Sequence, residues 1–329
     1  MDIIPATPAS EFMAIEGWEN TEPLSLKSLK GKVILIDCWT YTCVFCLRSI
    51  PIVRRLHEQY SAYGLVTVGA HSAEYQFAVK VPNIKKALAR YKVNFPVAFD
   101  TKNKTWEAYG NMYWPKHVLV DANGFIRYQH AGFGSILEFE EPIIELLQEA
   151  GYDPPTELDK EDPVDEIYDM HGMHFPDMSP EICVGYTRMR RFGNEHDAKP
   201  NKINQFQDPK THMRNVVYLR GSWFWDREGV KYSGKGYGDA VIMNYNAKRV
   251  NTIIGTDDGN PSRAEVRIDG NYLTKENAGH DVILKDGKSY VEVTWDFMHN
   301  LVKTEEPEEH EVEIMPKTNN FVFYTFVFG

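Results

Sequence analysis

The sequence predicts two domains, an α/β domain followed by an all-β sandwich of jelly-roll type, on three observations. In the first half, short apolar runs alternate with longer amphipathic ones, the pattern of βα units around a mainly parallel sheet. A stretch rich in proline and acid then breaks the pattern, and beyond Val216 the period becomes two. At 329 residues the chain is also longer than one average core fills.

Val33-Ile34-Leu35-Ile36 is apolar without alternation, as a strand covered on both faces is. Helical spacing follows at Ile50, Val53, Leu56 and Tyr60, and Gly64 is placed to stop that helix before the strand Leu65–Val68. Next come a helix over Asn83–Tyr91, a strand over Val97–Phe99 and a helix over Thr105–Tyr109. His117–Val120 and Phe125–Gln129 flank Asp121-Ala122-Asn123-Gly124, a turn sequence, and read as an antiparallel hairpin. A helix over Glu138–Ala150, stopped by Gly151, completes a domain of residues 1–151.

From Tyr152 to Pro180, Pro154, Pro155, Pro163 and Pro176 lie in a segment with seven acidic residues between Glu157 and Asp169, which reads as a linker. The β domain spans residues 181–329, with strand-like runs at Val216–Leu219, Ala240–Tyr245, Val250–Gly255, Ala264–Ile268, Tyr290–Trp295 and Phe321–Phe328. Turns such as Asp257-Asp258-Gly259-Asn260 and Asp286-Gly287-Lys288 separate them. Glu305–Glu313, with six glutamates, is expected as a solvated loop and strand start.

A composition of 43% hydrophobic and 25% charged residues is that of a folded protein. The net charge of -11 excludes a general attraction to nucleic acid or anionic lipid. No run reaches the roughly 18 apolar residues of a membrane helix. Read as a native start, Met1-Asp2-Ile3-Ile4-Pro5 lacks the features of an export signal, and the expectation is a cytoplasmic protein. Four cysteines, Cys38, Cys43, Cys46 and Cys183, are too few to staple a chain of this length, so cysteine points to chemistry.

Cys43-Val44-Phe45-Cys46 follows the first strand at the start of a helix. There the unsatisfied backbone N–H groups and the helix dipole stabilise an anion, so the first sulfur is the attacking thiolate. Cys46, one turn inside the helix, is placed to attack a mixed disulfide on Cys43 and release the reduced partner. A zinc site needs more ligands than this pair. Cys38 and Cys183 read as small buried residues.

Asp37-Cys38-Trp39-Thr40-Tyr41-Thr42-Cys43-Val44-Phe45-Cys46 resembles the active-site segment of thioredoxin-like proteins. Asp37, six residues before Cys43, stands where that family keeps a buried proton-handling carboxylate. Trp39 matches the tryptophan beside the site, and Pro51 the helix-kinking proline. Trp114-Pro115 falls at the family's cis-proline, which aligns the substrate backbone, and Gly132 at its later glycine. The insertion His71–Phe99 is similar to that of the TlpA-like and redoxin branch. More narrowly, the chain resembles the carboxy-terminal half of DipZ proteins, through Thr-Tyr-Thr-Cys-x-x-Cys, Tyr113-Trp114-Pro115 and a carbohydrate-binding-like β domain opened by Pro180–Tyr186. The resemblance does not extend to their membrane-embedded electron-transfer half.

The resemblance implies a thiol-disulfide oxidoreductase without cofactor, probing protein disulfides and served by a separate electron donor. Cys43, Cys46, Asp37 and Pro115 are its catalytic residues, and Trp39, Tyr41, Thr42 and Trp114 its substrate-binding ones. Trp39, Tyr41 and Trp114 serve equally well as walls of the site. Burial at the end of an apolar strand raises the Asp37 pKa. A cytoplasmic setting favours the direction of reduction.

Three rival readings arise from the residues. Thr40, three before Cys43, matches part of the peroxiredoxin pattern Pro-x-x-x-Thr-x-x-Cys, but Ile36 occupies the proline position. His171 and His174 with Cys183, or the dithiol itself, are candidate metal ligands of weak spacing, and no metal is expected. Trp223, Phe224, Trp225 and Tyr237 form either a sugar-stacking platform or a core. The basic stretch Arg188, Arg190, Arg191, Lys199 and Lys202 suits surface or interdomain pairing with the acidic linker.

Overall fold

The computed structural model describes residues 1–163, 165–235 and 238–329, in two compact units, Met1–Ile167 and Tyr168–Gly329. In the first unit β1 (Asp2–Pro8), β2 (Trp18–Glu19), β3 (Val33–Trp39), β4 (Leu65–Ser72), β5 (Val97–Asp100), β6 (Lys116–Val120) and β7 (Phe125–Ala131) form one sheet in the order β1-β7-β6-β3-β4-β5-β2. The central strands β3, β4 and β5 are parallel, and β6, β7, β1 and β2 join antiparallel. Sequence reading misses β1 and β2, which are edge strands; β1 even carries Pro5.

All seven residues of β3 are buried, and their alternation sorts them to two layers. Ile34, Ile36 and Cys38 face Trp106 and Tyr109 around the helix α3 (Lys104–Ala108). The odd-numbered residues, Asp37 among them, therefore face the other layer. There α1 (Val44–Tyr60) and α4 (Ile136–Glu149) pack on β4 and β3, while α2 (Val81–Arg90) follows β4 in the chain. The α1 stripe of Leu47, Ile50, Val53, Leu56 and Tyr60 is buried, as its spacing requires.

The acidic segment is packed onto the first unit up to its end. Asp159 pairs with Arg55 at 2.8 Å, Glu166 with Lys92 at 2.7 Å, and Asp165 with Arg54. Asp162 Oδ1 accepts the Ile136 N–H at the start of α4, where an anion is favoured. These acids thus find their partners on α1 and its surroundings, whereas Arg188 of the basic stretch meets Glu181 at 3.8 Å.

The second unit opens within α5 (Glu166–His171). It continues as β8 (Ile182–Cys183), β9 (Ile203–Phe206), β10 (Val217–Trp225), β11 (Val230–Tyr232), β12 (Ala240–Thr256) and β13 (Ser262–Ile268). Then come β14 (Asn271–Tyr272), β15 (Val282–Lys285), β16 (Lys288–Val293), β17 (Phe297–Pro316) and β18 (Phe321–Phe328). This is a large, all-β sheet region in the order β15-β16-β13-β17-β12-β10-β11-β18-β8. The first part of β12 pairs with β10 and its last part with β18, so β12, β10, β11 and β18 close a ring.

The expected loop at Glu305–Glu313 is instead continuous strand, because Glu308–Glu313 pair with Ile242–Ala247 of β12. Its glutamates stay at or near the surface while Val312 and Ile314 turn into the core, so the charge does not oppose pairing.

Candidate active site

The chain leaves β3 through Thr40–Thr42 and enters α1 with Cys43 as its N-cap, at φ -97 and ψ 120. The Cys43 N–H donates to Thr40 O at 3.3 Å, which closes the turn. Cys43 is half-buried, and its Sγ donates to the Trp114 carbonyl oxygen at 3.7 Å. Cys46, at the third helical position, is buried, and its Sγ accepts the Thr40 N–H at 3.4 Å. Both are thiols. Burial first, then the neighbouring Cys43 and Asp37, push the Cys46 thiol well above the ordinary thiol range.

Asp37 lies in the same buried layer. Burial pushes its carboxyl up to about 8, so near neutral pH it is mostly the uncharged acid. On the neighbouring strand β6, His117 is its direct register partner, and His117 Nε2 is 3.3 Å from Asp37 Oδ1. The two atoms are close, yet not aligned as a hydrogen bond. Burial, with His130 second, holds His117 down to about 3 and hence neutral. On the other side of β3, His71 of β4 is the register partner of Trp39. It stacks on Tyr41 at 5.3 Å and accepts the Tyr41 N–H at Nε2, 3.4 Å away, while burial holds it down to about 3.

The Trp114-Pro115 bond is cis, and Pro115 is buried beside Cys43. Trp114 is half-buried, stacks on Trp106 at 4.2 Å and donates its indole N–H to Ser72 O at 3.2 Å. Three of the residues expected to meet substrate do not reach the surface: Trp39, Tyr41 and Thr42 are buried. Trp39 and Tyr41 clamp His71, and the Thr42 hydroxyl donates to Glu74 at 2.8 Å, so they build the floor and wall of the site. The exposed side chains are Phe45 at 42%, Met112 at 72% and Tyr113 at 66%. Phe45 was legible inside the dithiol motif, and Met112 and Tyr113 beside the cis-proline. His117 carried the signal of lying two residues beyond Pro115, on the strand that follows it, but its partner sits 80 residues earlier.

Cys38 follows Asp37 and therefore points to the opposite layer, among Trp106 and Tyr109; burial pushes its thiol up to about 12. It is not the third member of a cysteine cluster. His171, a candidate metal ligand, is buried with Nδ1 3.1 Å from Asn251 Oδ1, whereas His174 is exposed. Among the described residues, no group of three or more His, Cys, Asp or Glu side chains is arranged to hold a metal ion. Trp223 and Trp225 lie in the β core, with their indole N–H groups on Arg220 O and Val184 O, so neither is available as a sugar platform. Phe224 lies half-buried beside Lys231, and Tyr237 lies outside the described residues. No helix among the described residues is long and apolar enough to cross a membrane.

Comparison with known proteins gives the following. Residues 7–142 match the family model described as Redoxin, and residues 179–329 that described as Thioredoxin like C-terminal domain. Protein DipZ of Mycobacterium tuberculosis (strain CDC 1551 / Oshkosh) is 34% identical over 258 residues, 75% of this chain and 35% of that protein. The chain thus spans about a third of that relative's length. The thiol-disulfide oxidoreductase ResA of Halalkalibacterium halodurans is 26% identical over 127 residues, 39% of this chain and 69% of its own. Among solved structures, a thiol:disulfide interchange protein of the thioredoxin family from Chlorobium tepidum TLS is 23% identical, with a TM-score of 0.38, over 44% of this chain and 98% of that one.

Proposed function

We propose that this chain, a redoxin domain of the thioredoxin-like thiol-disulfide oxidoreductases followed by a thioredoxin like C-terminal domain, reduces disulfides of partner proteins through Cys43 and Cys46. The observation that carries this is the half-exposed Cys43 at the start of α1, with a buried Cys46 one turn behind it and the acid Asp37 beneath. Cys43, as thiolate, attacks one sulfur of the partner disulfide; the partner's other sulfur leaves with the electron pair and takes up a proton. Cys46 is held as a thiol by burial, so its attack on the mixed disulfide needs a base, and the carboxylate form of Asp37, the minority form near neutral pH, takes its proton. The second partner sulfur then leaves as thiolate, and Cys43 and Cys46 are joined.

Pro115 and the Trp114 carbonyl, next to Cys43, are the backbone against which the partner chain aligns. Phe45, Met112 and Tyr113 supply an apolar rim that suits a polypeptide. Reduction is the favoured direction because one polar contact of Cys43 is a carbonyl oxygen, which opposes the stabilisation that the start of α1 gives its thiolate. Strong oxidants of this class gain their potential by stabilising the reduced pair, and a carbonyl does not stabilise a thiolate. The same contact disfavours a peroxidase, which needs donors around its sulfur. An electron donor of a reducing compartment such as the cytoplasm returns the pair to the dithiol. The ring of β12, β10, β11 and β18 supports a jelly-roll-like sandwich for the β region, with the role of positioning the partner.

Dithiothreitol-driven reduction of insulin tests the reading: Cys43→Ser abolishes it, and retained activity overturns the assignment. A measured potential well above the cytosolic glutathione poise would reverse the direction.

A further inference from the structure

Beside Asp37, two residues on the dithiol side of the sheet are left over once the exchange is described. Asp37, His117 and His130 are successive register partners on β3, β6 and β7, so their side chains stand in one row on one face. We propose that this row carries the proton of Cys46 out of the buried site, with His117 as the positioning residue for Asp37 and His130 as the outlet. It rests on the exchange reading above.

The geometry has the parts such a path needs. His117 Nε2 is 3.3 Å from Asp37 Oδ1, and the two imidazole centroids are 6.3 Å apart. Phe139 of α4 packs edge-on against both rings, at 4.6 Å from His117 and 5.6 Å from His130. Both ring nitrogens of His117 and Nε2 of His130 are buried without a hydrogen-bond partner, an uncommon state for polar atoms. His130 itself is half-buried. A Cβ at Gly134 would lie 3.1 Å from His130 Nε2, 2.9 Å from Phe139 Cε2 and 2.8 Å from Glu138 Oε2, so the glycine lets the chain pack closely against the His130 ring. The ionisable groups facing the row are Cys46 from α1, Asp37 from β3, His130 from β7 and Glu138 from α4.

The protons balance. As the Cys46 sulfur attacks the mixed disulfide, its proton passes to the Asp37 carboxylate. Asp37 then protonates Nε2 of the neutral His117, which releases its Nδ1 proton towards His130 and solvent. The reverse transfer, when the pair is reduced again, restores the first tautomer.

Nitrogen-15 NMR of the two histidine rings in the reduced full chain, from pH 5 to 10, tests the row without activity. Both rings are expected to report a transition near 8 that vanishes in Asp37→Asn. Rings that ignore Asp37 overturn the proposal. In single-turnover disulfide reduction, His117→Gln and His130→Gln should slow resolution at least about tenfold at pH 7, while alkylation of Cys43 stays unchanged. Resolution with the wild-type pH profile in both variants overturns the row and leaves the exchange standing. Absence of any mixed disulfide on Cys43 overturns the exchange instead, and the ring titration still decides the row.

Discussion

The Thr40 N–H points at the Cys46 sulfur from 3.4 Å, a contact that lowers the thiol pKa against its burial. A donor aimed at that sulfur steadies the thiolate only at the moment it forms, which suits a residue that waits as a thiol and attacks second.

Cys46→Ser is therefore expected to accumulate a mixed disulfide between Cys43 and its partner, and Cys43→Ser to form none. Non-reducing gels and intact mass after mixing with a disulfide substrate read this directly. Equal trapping by both variants would mean that the order of attack is wrong.

Asp37→Asn should slow resolution by roughly a hundredfold, the usual range for losing a positioned base. Its effect on stability has a definite sign. The folded pKa of about 8 lies above the ordinary 3.8, so the favourable protonated state is whole below 3.8 and lost as pH rises through 8. Above that, burying the charge costs at most about 6 kcal/mol. Urea unfolding should show the variant gaining on the wild type between pH 4 and 8, and a constant gap would contradict this.

His71 and His117 act in the opposite sense. Both are held down to about 3 from 6.5 by burial, so their contribution is whole above 6.5 and lost as pH falls towards 3. Each adds up to about 1.4 kcal/mol per pH unit to the acid slope. The slope of unfolding free energy between pH 6 and 4 should drop by close to one proton in His117→Gln.

Gly69, the register partner of Asp37 on β4, leaves no room for a side chain. A Cβ there would lie 2.9 Å from both Phe95 Cε2 and Trp39 Nε1. Gly69→Ala should cost about 1–3 kcal/mol in thermal or denaturant unfolding, as overpacking does.

Phe45→Ala removes exposed surface at the mouth of the site, so stability should change by less than about 0.5 kcal/mol. KM for a protein disulfide should rise several-fold, with that for a small-molecule disulfide unchanged. Equal changes for both would argue against the apolar rim as a polypeptide contact.

Local signals were enough for the dithiol, the strand before it and the helix it caps, because strand, turn and helix are written in adjacent residues from Val33 to Tyr60. The change of period likewise marked the β region. Facing and pairing were not written there. Only the assembled sheet turns Asp37 towards the dithiol layer and Cys38 away from it, and only register brings His117 across to Asp37. Aromatic residues near a reactive cysteine look like contacts in a sequence, yet packing buries Trp39 and Tyr41 around His71 and sends Trp223 and Trp225 into the β core. The glutamates from 305 to 313 read as a loop because their charge is local, whereas the β12 partners of Glu308–Glu313, Ile242–Ala247, lie far upstream in the chain. Chemistry that depends on neighbours in the chain is visible in the chain. Burial and cross-strand partnership, which set the protonation of Asp37, His117 and Cys46, exist only once distant segments have closed together.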